Sequence, residues 1–481
     1  MKRLICWIMV CSMMLSAGGL ASCASGTETG GTTSGDTTTE TTTAAETLPP
    51  LEQLEKKDFE GRTFTIYEAN WHPHLHINNP GDEMNGEIVN DALFERDAWI
   101  ESNYNVNIEY VQEKSSTSLL KNTVLADDSE YDLAISEIYQ GLAPLATQGI
   151  LYNLCDIDDL ALDENWWSPL MYEHLTLNGN LYFTTGDIVP AVYQAPMCMF
   201  LNLKLYEDYN IQTDIWELVL NGGWTMDAVQ TLTKDFEQDL NNDSKLHAND
   251  DLFGIVMQHT TESSDAFFTA ANQKLATASK DGSKLEAVSL SSGSLADALE
   301  KIIDTVFYVE YEGINDVINK TFKEDRSLLL MHKLESAAVN LRDMESDYLI
   351  LPMPKLDENQ SSYISLVSGY VCSFVAVPAT ADAQFTGLVA EAMARYSNQY
   401  VRPKAYDLVY KVKDTRDDRS AEVLDILFDT LYLDFNIVYD FGKSRDELCK
   451  IVFEDAPIAS TLAALESSFK ADMNTLIESW K

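Results

Sequence analysis

Thr63-Phe64-Thr65-Ile66-Tyr67, Val106-Asn107-Ile108-Glu109-Tyr110-Val111 and Tyr131-Asp132-Leu133-Ala134-Ile135 decide the fold. Each run is short, rich in β-branched and aromatic side chains, and bounded by polar or turn-forming residues, as strands are. Between the first two, Ile88, Val89, Ala92, Leu93, Trp99 and Ile100 share one face of a helix opening near Asn85. Between the second and third, a shorter helical stretch carries Leu119, Leu120 and Val124. The order is β-α-β-α-β. Strands separated by helices of this length lie parallel in a sheet covered on both faces, and such sheets receive ligands beyond the carboxyl ends of their strands. The loops after Tyr67 and after Ile135 are therefore the first places to look for a site.

A second unit opens at the apolar run Met197-Cys198-Met199-Phe200-Leu201, read as the first crossing between two lobes. After Trp224 a helix is expected, with Thr225 as its cap, Asp227 at its positive end, and Val229, Leu232, Phe236 and Leu240 as its buried stripe. Phe253 to Met257 reads as a strand and Leu295 to Phe307 as a helix. Tyr348-Leu349-Ile350-Leu351 reads as a buried strand of the first lobe, stopped by Pro352 and Pro354, with Gly369 to Val377 as the return crossing. The tail is mostly helical. The body is too long for one hydrophobic core. Its expected division is 58–195 with 321–370 as the first α/β lobe, and 196–320 with 371–481 as a second, more helical lobe.

The N-terminus begins with Lys2-Arg3 and an apolar run from Leu4 to Leu15, too short to span a bilayer and suited to a signal peptide over residues 1–22. Leu20-Ala21-Ser22-Cys23 resembles the bacterial lipobox, which implies a diacylated Cys23 as the first mature residue and a lipid anchor on the extracytoplasmic face of the cell membrane. Residues 23–57 are dominated by Thr, Gly, Ser, Ala and Glu and are read as a flexible tether, about 30 Å in random-coil span. The net charge of −44 repels nucleic acid and anionic headgroups and suits a neutral solute or a cation. Cys155, Cys198, Cys372 and Cys449 are widely spaced with no Cys-x-x-Cys, so buried free thiols are expected rather than a metal or redox motif. Nothing points to an oligomer, and a monomer is expected.

Further segments are Asn85-Gly86-Glu87-Ile88-Val89-Asn90-Asp91-Ala92 with Phe94-Glu95-Arg96, Tyr104-Asn105-Val106, and Gly149-Ile150-Leu151-Tyr152-Asn153-Leu154. Trp166-Trp167, Gly179-Asn180-Leu181-Tyr182, Gly223-Trp224-Thr225 and Ile350-Leu351-Pro352-Met353-Pro354-Lys355 follow. Their order and spacing, together with Tyr131-Asp132-Leu133, resemble extracellular solute-binding family 1, which serves ABC importers of sugars. The resemblance covers most of the body. It implies an α/β, two-lobe, periplasmic-binding-protein-like fold of type II, hinged, with a ligand cleft between the lobes. It also implies a non-enzymatic protein that captures a small solute, an oligosaccharide, and delivers it to an ABC permease.

Sugars present apolar C–H faces framed by hydroxyls, so a site for them needs aromatic platforms with carboxylates or amides. Glu68, Asn70 and Trp71 follow the first strand, and Glu137 and Tyr139 follow the third. The family pattern adds Asp187, Tyr193, Trp224 and Tyr370. Of the adjacent Trp166 and Trp167, one is expected to face the core and the other the cleft. Against each of these stands the plain alternative of a packed aromatic or a solvated acid.

His72, His74 and His76 alternate around Pro73, and in an extended segment three imidazoles on one side suit a transition metal; the blander reading has them flank the cleft. Asp239, Asn241, Asp243, Lys245 and Asp250 fall at the ligand positions of an EF-hand-like loop for structural Ca2+, although Ser244 replaces the turn glycine and Asp250 the usual glutamate. No cofactor is required. There is no Gly-x-Ser-x-Gly elbow, no phosphate-binding glycine loop and no His-Glu-x-x-His. The alternatives to sugar capture are a surface glycoside hydrolase or lyase, and a binder of peptide or metal chelate.

Overall fold

Arg62–Asn70 (β1) pairs in parallel with Val106–Lys114 (β2) on one side and Leu133–Ser136 (β3) on the other. These are the expected strands, and Phe64, Ile66 and Ala134 at their centre are fully enclosed. This computed structural model describes residues 50–71, 78–279, 282–306, 309–310, 316–411 and 418–480. Helix α1, Ile88–Tyr104, ends on Asn105, whose left-handed backbone (φ 50°, ψ 57°) turns the chain straight into β2. Ser118–Leu125 (α2) then leads to β3.

A second sheet contains Met197–Asn202 (β4), Phe253–Gln258 (β5), Val309–Glu310 (β6), Ser327–Lys333 (β7) and Tyr348–Pro352 (β8). Its order is β8-β4-β7-β5-β6. β7 runs parallel to β5 but antiparallel to β4, and β8 is antiparallel to β4. The sheet is therefore mixed.

The expected assignment of 321–370 to the first lobe does not hold for its strands, because both β7 and β8 pair in the second sheet. The strand that returns to the first sheet is Phe374–Ala376 (β9), antiparallel to β3, giving the order β9-β3-β1-β2. The physical reason is that β8 and β4 are both apolar runs able to pack into either sheet, and only their mutual register settles the matter. Pro352 fits where β8 lies, at an edge, since it has no N–H to give a further neighbour.

Two other expectations shift. The helix after Trp224 spans only Met226–Thr233; Thr225 caps it, accepting from the Ala228 N–H at 3.3 Å, while Thr233 turns its hydroxyl back on Val229. Phe236 is buried beyond that helix and Leu240 is exposed, so the stripe is shorter than its spacing implied. The tether also ends earlier than residue 57. Pro50–Gln53 forms a single turn, and Leu51 is buried among Leu93, Tyr396 and Val401, which removes apolar surface the composition hid. The signal peptide, Cys23 and the tether before Pro50 lie outside the described residues.

Pro49–Lys481 forms one compact unit. The chain leaves the first sheet after Thr184, which bridges Val375, and enters the second at Met197. It comes back between Pro352 and Phe374. The two crossings touch: Pro196 bridges Val367 and the Ser368 N–H donates to Ala195. Cys155, Cys198, Cys372 and Cys449 are free, with Cys198 and Cys372 fully buried, as the spacing predicts. No helix among the described residues is long and apolar enough to cross a membrane.

Candidate functional site

The carboxyl ends of β3, β5 and β7 converge on one cluster. Beyond β3, Glu137 caps a short helical turn, accepting from the N–H groups of Tyr139 at 2.8 Å and Gln140 at 2.6 Å. That cap places the Tyr139 ring against Tyr370, with centroids 4.7 Å apart. Gly369 permits the contact, since a Cβ there would lie 2.6 Å from the Tyr139 ring. Beyond β5, helix Thr261–Ala270 presents Glu262 and Asp265 one turn apart, both buried. β7 ends on Lys333, and Glu335 lies just beyond it. The penultimate helix, Ser444–Phe453, supplies Arg445 from its first turn.

These groups are partly paired and partly not. Arg445 Nε donates to Asp265 at 2.6 Å, and its guanidinium lies over Tyr139, 4.6 Å from the ring centroid. Lys333 Nζ is 3.1 Å from Glu262 Oε2. Glu262 also acts electrostatically on Tyr139, Tyr370 and Glu335, which marks the cluster as continuous. Left without any hydrogen-bond partner, though buried, are Tyr139 Oη, Glu262 Oε1, Glu335 Oε2 and Arg445 Nη2. Each such atom costs on the order of 1–3 kcal/mol, so their gathering at one place singles it out as the candidate site.

Burial sets the ionisation here. It pushes Asp265 up to about 6 despite the pull of Arg445, and raises Glu335 against Lys333. It also drives the Tyr139 hydroxyl far above its ordinary range, with Arg445 working the other way. For Lys333 burial opposes the charge, but Glu262 and Glu335 outweigh it and hold the ammonium above its usual value.

A second place gathers Asp187 and Tyr193. The Tyr193 hydroxyl donates to Asp187 Oδ1 at 2.6 Å, Asn398 Nδ2 donates to Oδ2 at 2.6 Å, and Arg402 Nη1 stands 3.8 Å away. Burial lifts Asp187 to about 6, opposed by Arg402, Tyr193 and Asn398. A cavity of about 560 Å³ opens beside them, walled by Trp167, Tyr406 and Phe428. The rings of Tyr406 and Phe428 stack at 4.8 Å.

Tyr139 and Tyr370 thus meet in the cluster, while Asp187 and Tyr193 meet at the cavity. Trp71 is half-buried just past the end of β1, donating from Nε1 to Ser136 Oγ at 3.2 Å, which ties the loop after β1 to the last residue of β3. Other predicted residues serve the frame instead. Glu68 is enclosed between Asn78 Nδ2 at 2.9 Å and Gln112 Nε2 at 2.6 Å, and burial raises it. Glu137 spends its carboxylate on its cap. Trp224 borders a cavity of about 470 Å³ yet has 0% of its surface exposed, with Nε1 donating to Pro352 at 2.8 Å. It is a core anchor and offers no platform. Trp166 and Trp167 both donate their indole N–H to Glu391 at 2.8 Å, and of the two only Trp167 borders the cavity of about 560 Å³. Asn70 ends β1 opposite Lys114, its side chain outside the described residues, as are His72, His74 and His76.

The acidic loop folds on its own turns. Asp239 Oδ2 accepts from Ser244, Asn241 from Asp243, and Asp243 from Lys245, while Asn242 and Ser244 take left-handed backbone. Asp251, not Asp250, closes it, accepting from Leu240 and His247. Among the described residues no three His, Cys, Asp or Glu side chains are grouped to hold a metal ion. Glu262, Asp265, Lys333, Glu335 and Arg445 were missed in the sequence; the one available signal was that Lys333 and Glu335 sit at the carboxyl end of an apolar strand.

No family model and no curated protein matches the sequence. Solved structures do. A cyclo/maltodextrin-binding protein complexed with maltotetraose aligns with TM-score 0.58 and 12% identity over 88% of this chain and 100% of that one. The cyclic alpha-maltosyl-1,6-maltose binding protein from Arthrobacter globiformis aligns with TM-score 0.53 and 15% identity, over 86% and 99% of the two chains. The maltose/maltodextrin-binding domain from Bdellovibrio bacteriovorus bound to maltotriose gives 0.51 and 15%, over 86% and 100%. The chain shares the fold of these binding proteins, in agreement with the fold read from its sequence.

Proposed function

We propose that this protein captures an oligosaccharide outside the cell and hands it to an ABC importer, without chemical turnover. The observation that carries the reading is the set of partnerless buried atoms on Tyr139, Glu262, Glu335 and Arg445, the first three beyond the carboxyl ends of strands in both sheets and the last from helix Ser444–Phe453. A polyhydroxylated guest supplies donors and acceptors at close spacing, and Tyr139 and Tyr370 offer ring faces for its C–H surfaces. The structural neighbours, whose ligands include maltotriose and maltotetraose, support the same class of solute. In this proposal the adjoining crossings at 195–196 and 367–368 act as the hinge, and closure over the solute is what the permease recognises. Acylation of Cys23 would keep the protein on its membrane.

A thermal-shift screen against a library of neutral oligosaccharides tests the proposal. At least one is expected to raise the melting temperature in a saturable manner, and calorimetry on that hit should give one site. A library with no hit would overturn the reading. Prolonged incubation with the hit, followed by product analysis, separates capture from hydrolysis or lysis: released fragments would make the protein an enzyme.

A further inference from the structure

We infer that the cluster selects its sugar by charge, admitting hydroxyl-bearing residues without an acidic group and rejecting uronic acids and sugar phosphates. This rests on the capture reading and names the substrate class of that same site. The ionic inventory is unequal. Glu262, Asp265 and Glu335 contribute negative charge, and Lys333 and Arg445 positive. Arg445 is engaged through Nε by Asp265, and Lys333 by Glu262 Oε2. Each cation is already balanced by a carboxylate, so although Arg445 Nη2 still has a donor to give, neither brings surplus positive charge to neutralise an incoming anion. The acceptors with open valence are carboxylate oxygens, Glu262 Oε1 and Glu335 Oε2.

A hydroxyl group fits this pattern from both sides. Its proton goes to a carboxylate in a short charge-assisted bond, and its oxygen accepts from Arg445 Nη2 or from the Tyr139 hydroxyl. A ligand carboxylate or phosphate has no proton to give near neutral pH and would face Glu262 and Glu335 across a water-poor space. The chain's net charge of −44 adds a long-range bias in the same direction.

The experiment pairs each neutral oligosaccharide that binds with its counterpart oxidised to the uronate at one sugar, measured by calorimetry on the intact folded protein near neutral pH. The uronate is expected to bind at least about a hundredfold more weakly, the scale set by like charges brought together without water. Glu335→Gln, which removes the surplus charge but keeps the shape, should narrow that gap by at least about tenfold. A uronate binding as well as its neutral parent, or a gap unchanged in Glu335→Gln, would overturn charge selection while leaving sugar capture intact. If no oligosaccharide of either kind binds, the capture reading itself is lost, and this inference with it.

Discussion

The guanidinium of Arg445 sits 4.6 Å from the centroid of the Tyr139 ring, joining a helix near the C-terminus to the loop after the third strand. A cation over an aromatic face is worth about 0.5–2 kcal/mol, enough to hold the ring tilted at 58° against Tyr370 while its hydroxyl stays without a partner. Tyr139→Phe keeps that contact and removes only the hydroxyl. Binding of the best oligosaccharide should weaken by about tenfold, one hydrogen bond's worth, with no fall in melting temperature. Calorimetry decides; an unaltered affinity would remove the hydroxyl from the site.

Gly369→Ala places a methyl group 2.6 Å from Ile138 Cγ2 and from the Tyr139 ring. Those atoms must move, at about 1–3 kcal/mol for overpacking. Because Tyr139 is what moves, affinity should suffer in addition to stability. Melting temperature and calorimetry measured together check this, and a variant that binds normally would show that Tyr139 contributes nothing from its present position.

Trp224→Ala is expected to remove about 3–5 kcal/mol of stability, as large buried aromatic truncations do, because the indole is fully enclosed and bonded to Pro352. Trp224→Phe should keep the fold and bind the solute unchanged. Urea unfolding measures the first effect and calorimetry the second. Reduced affinity in a well-folded Trp224→Phe would return this residue to the binding surface.

Burial lifts the Asp187 carboxyl to about 6, above its ordinary value, so the folded protein keeps this proton to higher pH than the unfolded chain does. The stability this group contributes is therefore full below about pH 4 and is lost as pH rises through about 6. The span amounts to about 3 kcal/mol at most. Asp187→Asn should flatten that part of the pH–stability curve, followed by urea unfolding between those limits. Identical slopes in the two proteins would contradict it.

Much of the first sheet was legible because its strands are consecutive in sequence, alternate with helices, and bury Phe64, Ile66 and Leu133 in the expected way. Membership of the second sheet was not, because Tyr348–Pro352 carries no mark of its antiparallel partner Met197–Asn202. At the site, Tyr139 stood out through its place after a strand and Tyr370 through the family pattern. Glu262 and Arg445 did not, since one acid among 77 acidic residues has no distinction until the fold sets it opposite a cation. Trp224 shows the converse: an indole suited to stacking on sugar is equally suited to the core, and only its enclosure tells the two apart.

Strand Phe374–Ala376 closes the first sheet by pairing with Leu133–Ser136, residues made far earlier in synthesis. Any chain broken off upstream of Phe374 leaves that older strand with a bare row of amide and carbonyl groups along its flank. Such a fragment carries a sticky margin that invites foreign strands. Truncated forms should therefore be found in aggregates or in the care of chaperones, and dissection of this protein into pieces must respect the late arrival of its seal.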